Sequence, residues 1–364
     1  MIGVITFHHS LNCGALLQAW ALRKYLRILG HKVDIVNYRK IGWNELFAID
    51  KRNFRAFIRS TYYTIRIVTL NLLPELLRRR QFRRFLSENM KIGRSVSRED
   101  LPRLGYSHWI CGSDQIWNPK FNGNDETFFL DFVPEGGRRI AYGPSFGTES
   151  FTPESSRRIG ELLKRFDRIS VRERTGVEIV RNLCGKSAEL VCDPTMLLGV
   201  DSYLRLERVP IARLPNRYVA VYLVGAHTWA LQVATKVAKD RKASVVLLQG
   251  GMMARWHTSG GVNRISVLGP SEWLYFIHHA EFLVTNSYHG TAFALQFHVP
   301  FTVTLNQTTG DERMLTLLSA VGQSDRALSK PDQFVQGEIN WSSVDGRIEE
   351  MRAKGGQYLK EALT

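Results

Sequence analysis

At 364 residues, with 44% hydrophobic and 23% charged residues, the chain has the composition of a globular protein with room for two domains. No run of about 18 apolar residues occurs, which argues against a membrane-spanning helix. Met1 leads straight into the strand-like IGVITF, without a basic leader and cleavage site, and Cys13, Cys111, Cys184 and Cys192 lack CxxC spacing; secretion, a zinc ribbon and a disulfide scaffold are therefore not expected, and a cytoplasmic location is.

In chain order, a strand at 2–7 is followed by a loop and a helix over about 14–29, whose apolar stripe is Ala15, Leu16, Ala19, Leu22 and Leu26. Gly30 sits where a C-terminal cap belongs, and a strand at 32–38 completes a βαβ unit. Much of the net charge of +15 lies in the next stretch, about 43–90, a basic helical segment interrupted near Pro74. Within it, residues 50–90 carry Lys51, Arg52, Arg55, Arg59, Arg66, Arg78, Arg79, Arg80, Arg83 and Arg84 against Asp50, Glu75 and Glu88. Phe54, Phe57, Ile58, Tyr62 and Ile65 follow helical spacing beside that charge. The pattern fits a helix lying on an anionic membrane surface, and equally a solvated helix packed on its domain. No RNA-recognition signature, zinc finger or helix-turn-helix accompanies it, so nucleic acid is not an expected partner.

Further strands are expected at 107–111, 139–145, 167–173 and 188–194, with a helix over about 153–165. Pro210 and Pro215 mark a crossing at 198–217. A second alternation follows: strand 218–224, helix 228–240, strands 244–248 and 264–268, a short helix capped by Ser271, strand 281–287, a helix from Thr291, and strand 300–305. The fold class is α/β, with two Rossmann-like domains facing a cleft. An amino-terminal domain is expected over 1–198 and a second over 217–340, with a terminal helix in 341–364 that packs back across both.

Ligands of such sheets bind beyond the carboxyl ends of the strands. Five unusual loops fall there: HHSLNCG, CGSDQIWN, GPSFG, VRERTG and TNSYHG. Turn and capping chemistry also favours Asn, Ser, Asp and Gly at these places. His289 stands at a helix start with Ser287 as cap and Gly290 beside it, and reads either as a general acid for an anionic substrate or as a turn histidine bonded to backbone. Arg172 ends a buried strand and suits a phosphate or carboxylate, or else a salt bridge to Glu173 or Asp193. Arg313, in GDERML, invites the same two readings. No GxGxxG follows the first strand and no GxxxxGK[ST] occurs. His8 and His9 are expected to diverge on a strand, and no HExxH is present, so neither a metal nor another cofactor is expected. Cys13 beside them is a weak case for a thiol nucleophile.

Taken together, TFHHSLNCGALLQAW, WICGSDQIWNP, FFLDFVP, RIAYGPSFG, ISVRERTGVEIV, VCDPTMLL and AEFLVTNSYHGTAFALQFHVPF resemble, in this order, the polysaccharide pyruvyl transferase family over about residues 1–325. Cys13 departs from the pattern, standing where relatives commonly carry an aromatic residue. The resemblance implies a GT-B-like arrangement and transfer of the pyruvyl group of phosphoenolpyruvate onto two sugar hydroxyls as a cyclic ketal, in exopolysaccharide or capsule synthesis. By motif position it implies His289 as the catalytic residue. Arg172, Arg313, Ser287 and Gly290 would hold the donor, and Asn12, Asp114, Gln115 and Ser145 would line the acceptor side. It implies no metal, with phosphoenolpyruvate as co-substrate. The acceptor is expected to be a sugar linked to polyprenyl diphosphate, which would place the enzyme peripherally at the inner membrane face through segment 50–90. Two alternatives stand beside it: a nucleotide-sugar glycosyltransferase using Glu272 or Glu281 for the ribose, and an inactive carbohydrate-binding relative.

Overall fold

The computed structural model describes residues 1–38, 74–148, 150–225, 229–248, 262–334 and 337–364. Residues 43–73 of the expected basic segment, and the glycine-rich loop 249–261, lie outside the described residues.

Two six-stranded sheets, parallel throughout, form the scaffold. The first contains β1 (Ile2–Ile5), β2 (Val33–Ile35), β3 (His108–Cys111), β4 (Arg138–Ala141), β5 (Arg168–Val171) and β6 (Glu189–Leu190), in the order β2-β1-β3-β4-β5-β6. The second contains β7 (Tyr218–Tyr222), β8 (Ser244–Leu248), β9 (Val262–Ile265), β10 (Phe282–Thr285), β11 (Phe301–Thr304) and β12 (Ala327–Leu328), in the order β12-β11-β10-β7-β8-β9. Strands β1, β7, β10 and β11 are buried at every position, which explains why they read as unbroken apolar runs rather than alternating ones. Strand order reverses between β1 and β3 in one sheet and between β10 and β7 in the other. Those are the places where loops splay apart and leave a crevice.

The helix Cys13–Ile28 starts with the Asn12 side chain accepting from the Ala15 amide at 3.2 Å. It ends where Gly30 takes φ +91° and donates to the Arg27 carbonyl at 3.0 Å, while His31 donates to Leu26 at 3.1 Å. Its buried stripe joins a core that spans both sheets. Trp20 meets Tyr203 at 5.6 Å between ring centroids, and Tyr203 meets Phe293 edge-on at 4.8 Å. The two halves thus share apolar packing as well as facing each other.

Several boundaries differ from the sequence reading. The expected strand at 188–194 shrinks to two residues, because Asp193 caps a 3-10 turn at Pro194–Met196. Strand β9 begins at Val262 and stops at Ile265, short of 268. The helix expected to be capped by Ser271 instead starts at Pro270 behind Gly269, since proline is pre-set for the first helical position. A helix at Arg174–Cys184, closed by Gly185 at φ +74°, was not anticipated, although Val177, Val180 and Leu183 recur at helical spacing.

The terminal helix, Trp341–Leu363, touches both sheets. Trp341 stacks on His298 at 4.8 Å beside the second sheet, and the Tyr358 hydroxyl donates to the Ala141 carbonyl at 2.8 Å at the end of β4. Gly355 and Gly356 allow this approach: a Cβ there would lie 2.6 Å from the Tyr142 hydroxyl and 2.2 Å from that of Tyr25. Replacing Tyr358 by Phe removes one buried donor, while Ala141 keeps its bond from Ser170 at 2.8 Å. The expected loss is about 1 kcal/mol in urea unfolding, and an unchanged midpoint would show that this bond does not hold the helix.

Candidate active site

The helix starts at Tyr288, three residues before the expected Thr291, and His289 lies in its first turn, at a helix start as expected. Ser287 is the cap, its hydroxyl accepting from the Gly290 amide at 3.3 Å, so these two residues are bonded to each other. Gly290 is required by packing: a Cβ there would fall 2.6 Å from Thr285 Oγ1, which itself donates to the Tyr222 carbonyl at 2.6 Å. This close approach sets the helix directly on the end of β10.

The imidazole then projects across the gap between the sheets. A Cβ on Gly14, in the first turn of helix Cys13–Ile28, would lie 2.2 Å from its Nδ1. His289 is only 6% exposed, so the ring is covered by the opposite half instead of lining an open cleft. Its Nε2 has no hydrogen bond among the described residues, and its nearest carboxylate is Asp193 Oδ2 at 3.7 Å.

Asp193 is the centre of the cluster. It is fully buried, and Oδ2 accepts from Ser113 Oγ at 2.8 Å and from Arg172 Nη1 at 2.8 Å. Oδ1 accepts from the Thr195 amide at 3.0 Å and from its hydroxyl at 2.8 Å. Burial pushes the carboxyl up, but His289, Arg172 and the Thr195 amide outweigh it and hold Asp193 well below the usual range. Arg172 is also buried. Its other Nη donates to Asp114 Oδ1 at 3.2 Å, and its plane lies over the Tyr288 ring at 4.7 Å. Burial alone would lower its proton affinity; Asp193 and Asp114 reverse that and keep it charged.

Arg313 enters from the start of helix Glu312–Ala320. Its Nε donates to the Gly310 carbonyl at 3.3 Å, and Gln115, with its carboxamide oxygen turned toward the guanidinium, accepts from both Nη at 3.2 Å. Burial and then the nearby Arg172 bring Arg313 down to about 10, with Glu173 and Asp114 opposing. Two like charges are therefore held close in a poorly solvated place. Burial likewise raises the Glu173 carboxyl, against the pull of Arg172 and Arg313, while Glu173 Oε1 accepts from the Phe146 amide at 3.1 Å. Asp114 adopts φ +76°, an uncommon conformation for a residue with a side chain, and its carbonyl accepts from the Ser145 amide at 2.9 Å. Ser145 is buried beside the Glu173 carboxyl, which its hydroxyl helps to hold down. Asn12 serves as the cap of helix Cys13–Ile28.

The structure therefore brings together His289, Arg172, Arg313, Asp114, Gln115, Ser145, Ser287 and Gly290. It adds Asp193 and Glu173, which the sequence offered only as counter-ions for Arg172. The signal for Asp193 was its place in VCDP, directly after an apolar run and before a proline. Cys13 is buried and its thiol is pushed up to about 12, so it stays protonated near neutral pH and is no nucleophile. His8 and His9 do not diverge, because β1 ends at Ile5; their rings lie 3.7 Å apart. Glu281, considered for a ribose, is paired with Arg217 at 2.8 Å.

Residues 12–308 match the model of the family described as polysaccharide pyruvyl transferase, well over half the chain. No curated protein matches significantly in sequence. Among solved structures, one described as a UDP-N-acetylglucosamine 2-epimerase from Listeria monocytogenes has a TM-score of 0.51 at 10% identity, covering 96% of this chain and 90% of that one. The UDP-GlcNAc 2-epimerase of Neisseria meningitidis has a TM-score of 0.49 at 10% identity over 100% and 98% of the two chains. The kitacinnamycin glycosyltransferase has 0.47 at 14% identity over 100% and 99%. At such identities the likeness concerns the fold, which is GT-B-like.

Asp193→Asn is expected to leave Arg172 short of a buried carboxylate and to cost about 3–5 kcal/mol. Because the native Asp193 pKa is depressed, its contribution is complete above the ordinary carboxylate pKa of about 4 and is lost as pH falls below that value. Chemical unfolding followed from pH 7 to pH 3 should show a flatter acid limb in the variant; parallel curves would mean that the pair is not coupled to folding.

Proposed function

Because this chain belongs to the polysaccharide pyruvyl transferase family, we propose that it moves the pyruvyl group of phosphoenolpyruvate onto two hydroxyls of one sugar, forming a cyclic ketal. The observation that carries this reading is the His289 imidazole, whose buried Nε2 makes no hydrogen bond among the described residues beside Asp193 and Arg172. A ring nitrogen left unsatisfied in a dry site is poised to exchange a proton with a ligand. Asp193 Oδ2 faces this nitrogen from 3.7 Å.

Phosphoenolpyruvate is a small anion with a carboxylate and a phosphate. Arg313, set near the like-charged Arg172 and matched mainly by amide and carbonyl oxygens, is the cation with most to gain from it. Arg172 is shared between two carboxylates, and of these Asp114 has the partly exposed side chain, at 12%. An incoming anion would displace Asp114 from Arg172 and leave Asp193 in place. The amino-terminal end of helix Tyr288–Gln296, capped at Ser287 and set close by Gly290, adds its dipole. Since Gly14 covers the ring, donor entry requires helix Cys13–Ile28 to draw away from it.

In the reaction, His289 gives a proton to the methylene carbon, and the adjacent carbon becomes electrophilic. One sugar hydroxyl attacks, and its proton returns to His289. The C–O bond to phosphate breaks as the neighbouring hydroxyl closes the ring, and the proton of that second hydroxyl leaves with the phosphate as hydrogenphosphate. Asn12, Asp114, Gln115 and Ser145 would face the acceptor. No metal or cofactor enters this scheme. We assign the acceptor to lipid-linked oligosaccharide of surface polysaccharide synthesis at the cytoplasmic membrane face. Support comes from the helical residues 74–85, where Arg80, Arg83 and Arg84 are exposed beside Leu76 at 61% and Leu77 at 39%. Arg78 does not belong to that surface, being buried and bonded to the Leu11 carbonyl. Among the described residues no helix is long and apolar enough to cross a membrane.

With labelled phosphoenolpyruvate and a panel of sugar acceptors, the protein should incorporate pyruvate and release phosphate. His289→Ala should lose about 10²–10⁴-fold in turnover while still binding donor, and near-normal turnover in a folded variant would remove the mechanism. Gly14→Ala should also lower turnover, by crowding the imidazole, without unfolding the chain. Sedimentation with anionic vesicles should fall severalfold when Arg80, Arg83 and Arg84 are changed to Ser; equal sedimentation counts against a membrane-facing role.

A further inference from the structure

A second cluster lies at the opposite end of β10 from His289. There the helix Pro270–His278 ends, and Glu207 of the crossing between the sheets reaches its last residue, His278. Arg208 donates its backbone amide to the Ser271 carbonyl at 3.3 Å, and the chain beyond is bare, with Val209 75% and Ile211 98% exposed. Glu207, just before this exit, turns its carboxylate toward two consecutive histidines.

The contacts do not form an ordinary hydrogen-bonded ion pair. Glu207 Oε1 lies 2.8 Å from His278 Nδ1, yet both buried atoms are without a properly directed hydrogen bond. His279 is placed differently. Its Nδ1 faces the Tyr275 carbonyl at 3.0 Å, and its ring stacks on Tyr275 at 3.9 Å. A backbone carbonyl on Nδ1 fixes the tautomer that leaves Nε2 with a lone pair, the arrangement that orients histidines as metal ligands. Adjacent residues on a regular helix point about 100° apart, but His279 is the cap, with φ −91° and ψ 6°. One ligand atom from each of Glu207, His278 and His279 lies within 4.8 Å of the others.

We propose that Glu207, His278 and His279 bind one divalent transition-metal ion of the zinc class. Two imidazoles and a carboxylate are a borderline donor set, which suits zinc and disfavours magnesium or calcium, whose preferred ligands are all oxygen. Three protein ligands on one exposed edge leave a fourth position for water. The ion would tie Glu207 of the inter-sheet crossing to the end of helix Pro270–His278, so its role is to brace the crossing and is separate from pyruvyl transfer. The sequence conceals the site because Glu207 and the His-His pair are far apart in the chain and match no zinc motif.

The full-length protein, stripped with chelator and dialysed, should take up one equivalent of zinc in a chromogenic competition titration, and zinc should raise its thermal midpoint. Magnesium should do neither. Glu207→Gln keeps the side-chain shape and His279→Ala alters an exposed ring; each should weaken zinc binding at least about tenfold while the metal-free midpoint stays close to that of the parent. Absence of stoichiometric uptake, or uptake that both variants retain at parental strength, would overturn the proposal and leave Glu207 and His278 as a plain ion pair.

Discussion

The buried Asp193 carboxylate is the constraint on which the candidate site depends. It takes hydrogen bonds from Ser113, Arg172 and both donor groups of Thr195, so elements at the ends of β3, β5 and β6 are tied to one point. A carboxylate out of water is costly unless its lone pairs are met, and here they are. Once held in place, it keeps Arg172 charged and stands 3.7 Å from the imidazole of the other half. Loss of this group would leave Arg172 with Asp114 as its remaining carboxylate partner.

Around that point the two topological switch points face each other. The start of helix Cys13–Ile28 contributes Gly14, the loop after β3 contributes Ser113 and Asp114, and the start of helix Tyr288–Gln296 contributes Ser287 through Gly290. Contact is so tight that two positions must lack side chains: Gly14 to admit the imidazole and Gly290 to sit on Thr285. The shared apolar core, from Trp20 through Tyr203 to Phe293, supplies the stability that lets like-charged Arg172 and Arg313 remain near each other. The nearness of Arg172 is, after burial, the main reason Arg313 holds its proton less tightly than usual.

Legibility in the sequence followed the range of each interaction. Strands such as 218–222 and 244–248 were readable because a strand buried on both faces must be apolar throughout. Ser287 was legible as the cap of the helix that holds His289, while the first helical residue was set three positions late, at Thr291 instead of Tyr288, because Tyr288 and His289 look like turn residues. Arg172, Arg313 and His289 stood out as polar groups at the ends of buried strands and at helix starts. Asp193 and Glu173 were legible only as charges beside Arg172, since a counter-ion and an organising centre have the same sequence signature. The short β6 was lost to Asp193 itself, which caps a turn where a longer strand was expected.

By itself, then, the order of residues determined the α/β class, the two alternating halves and the family pattern, since these arise from periodicity and local turn chemistry that act within a few residues. Only tertiary structure decided that His289 would be covered by Gly14, that Arg172 would be shared between Asp193 and Asp114, and that Glu207 would meet His278 and His279. Those outcomes depend on how two sheets settle against each other. Partners separated by tens to hundreds of positions leave no mark on the spacing of their neighbours.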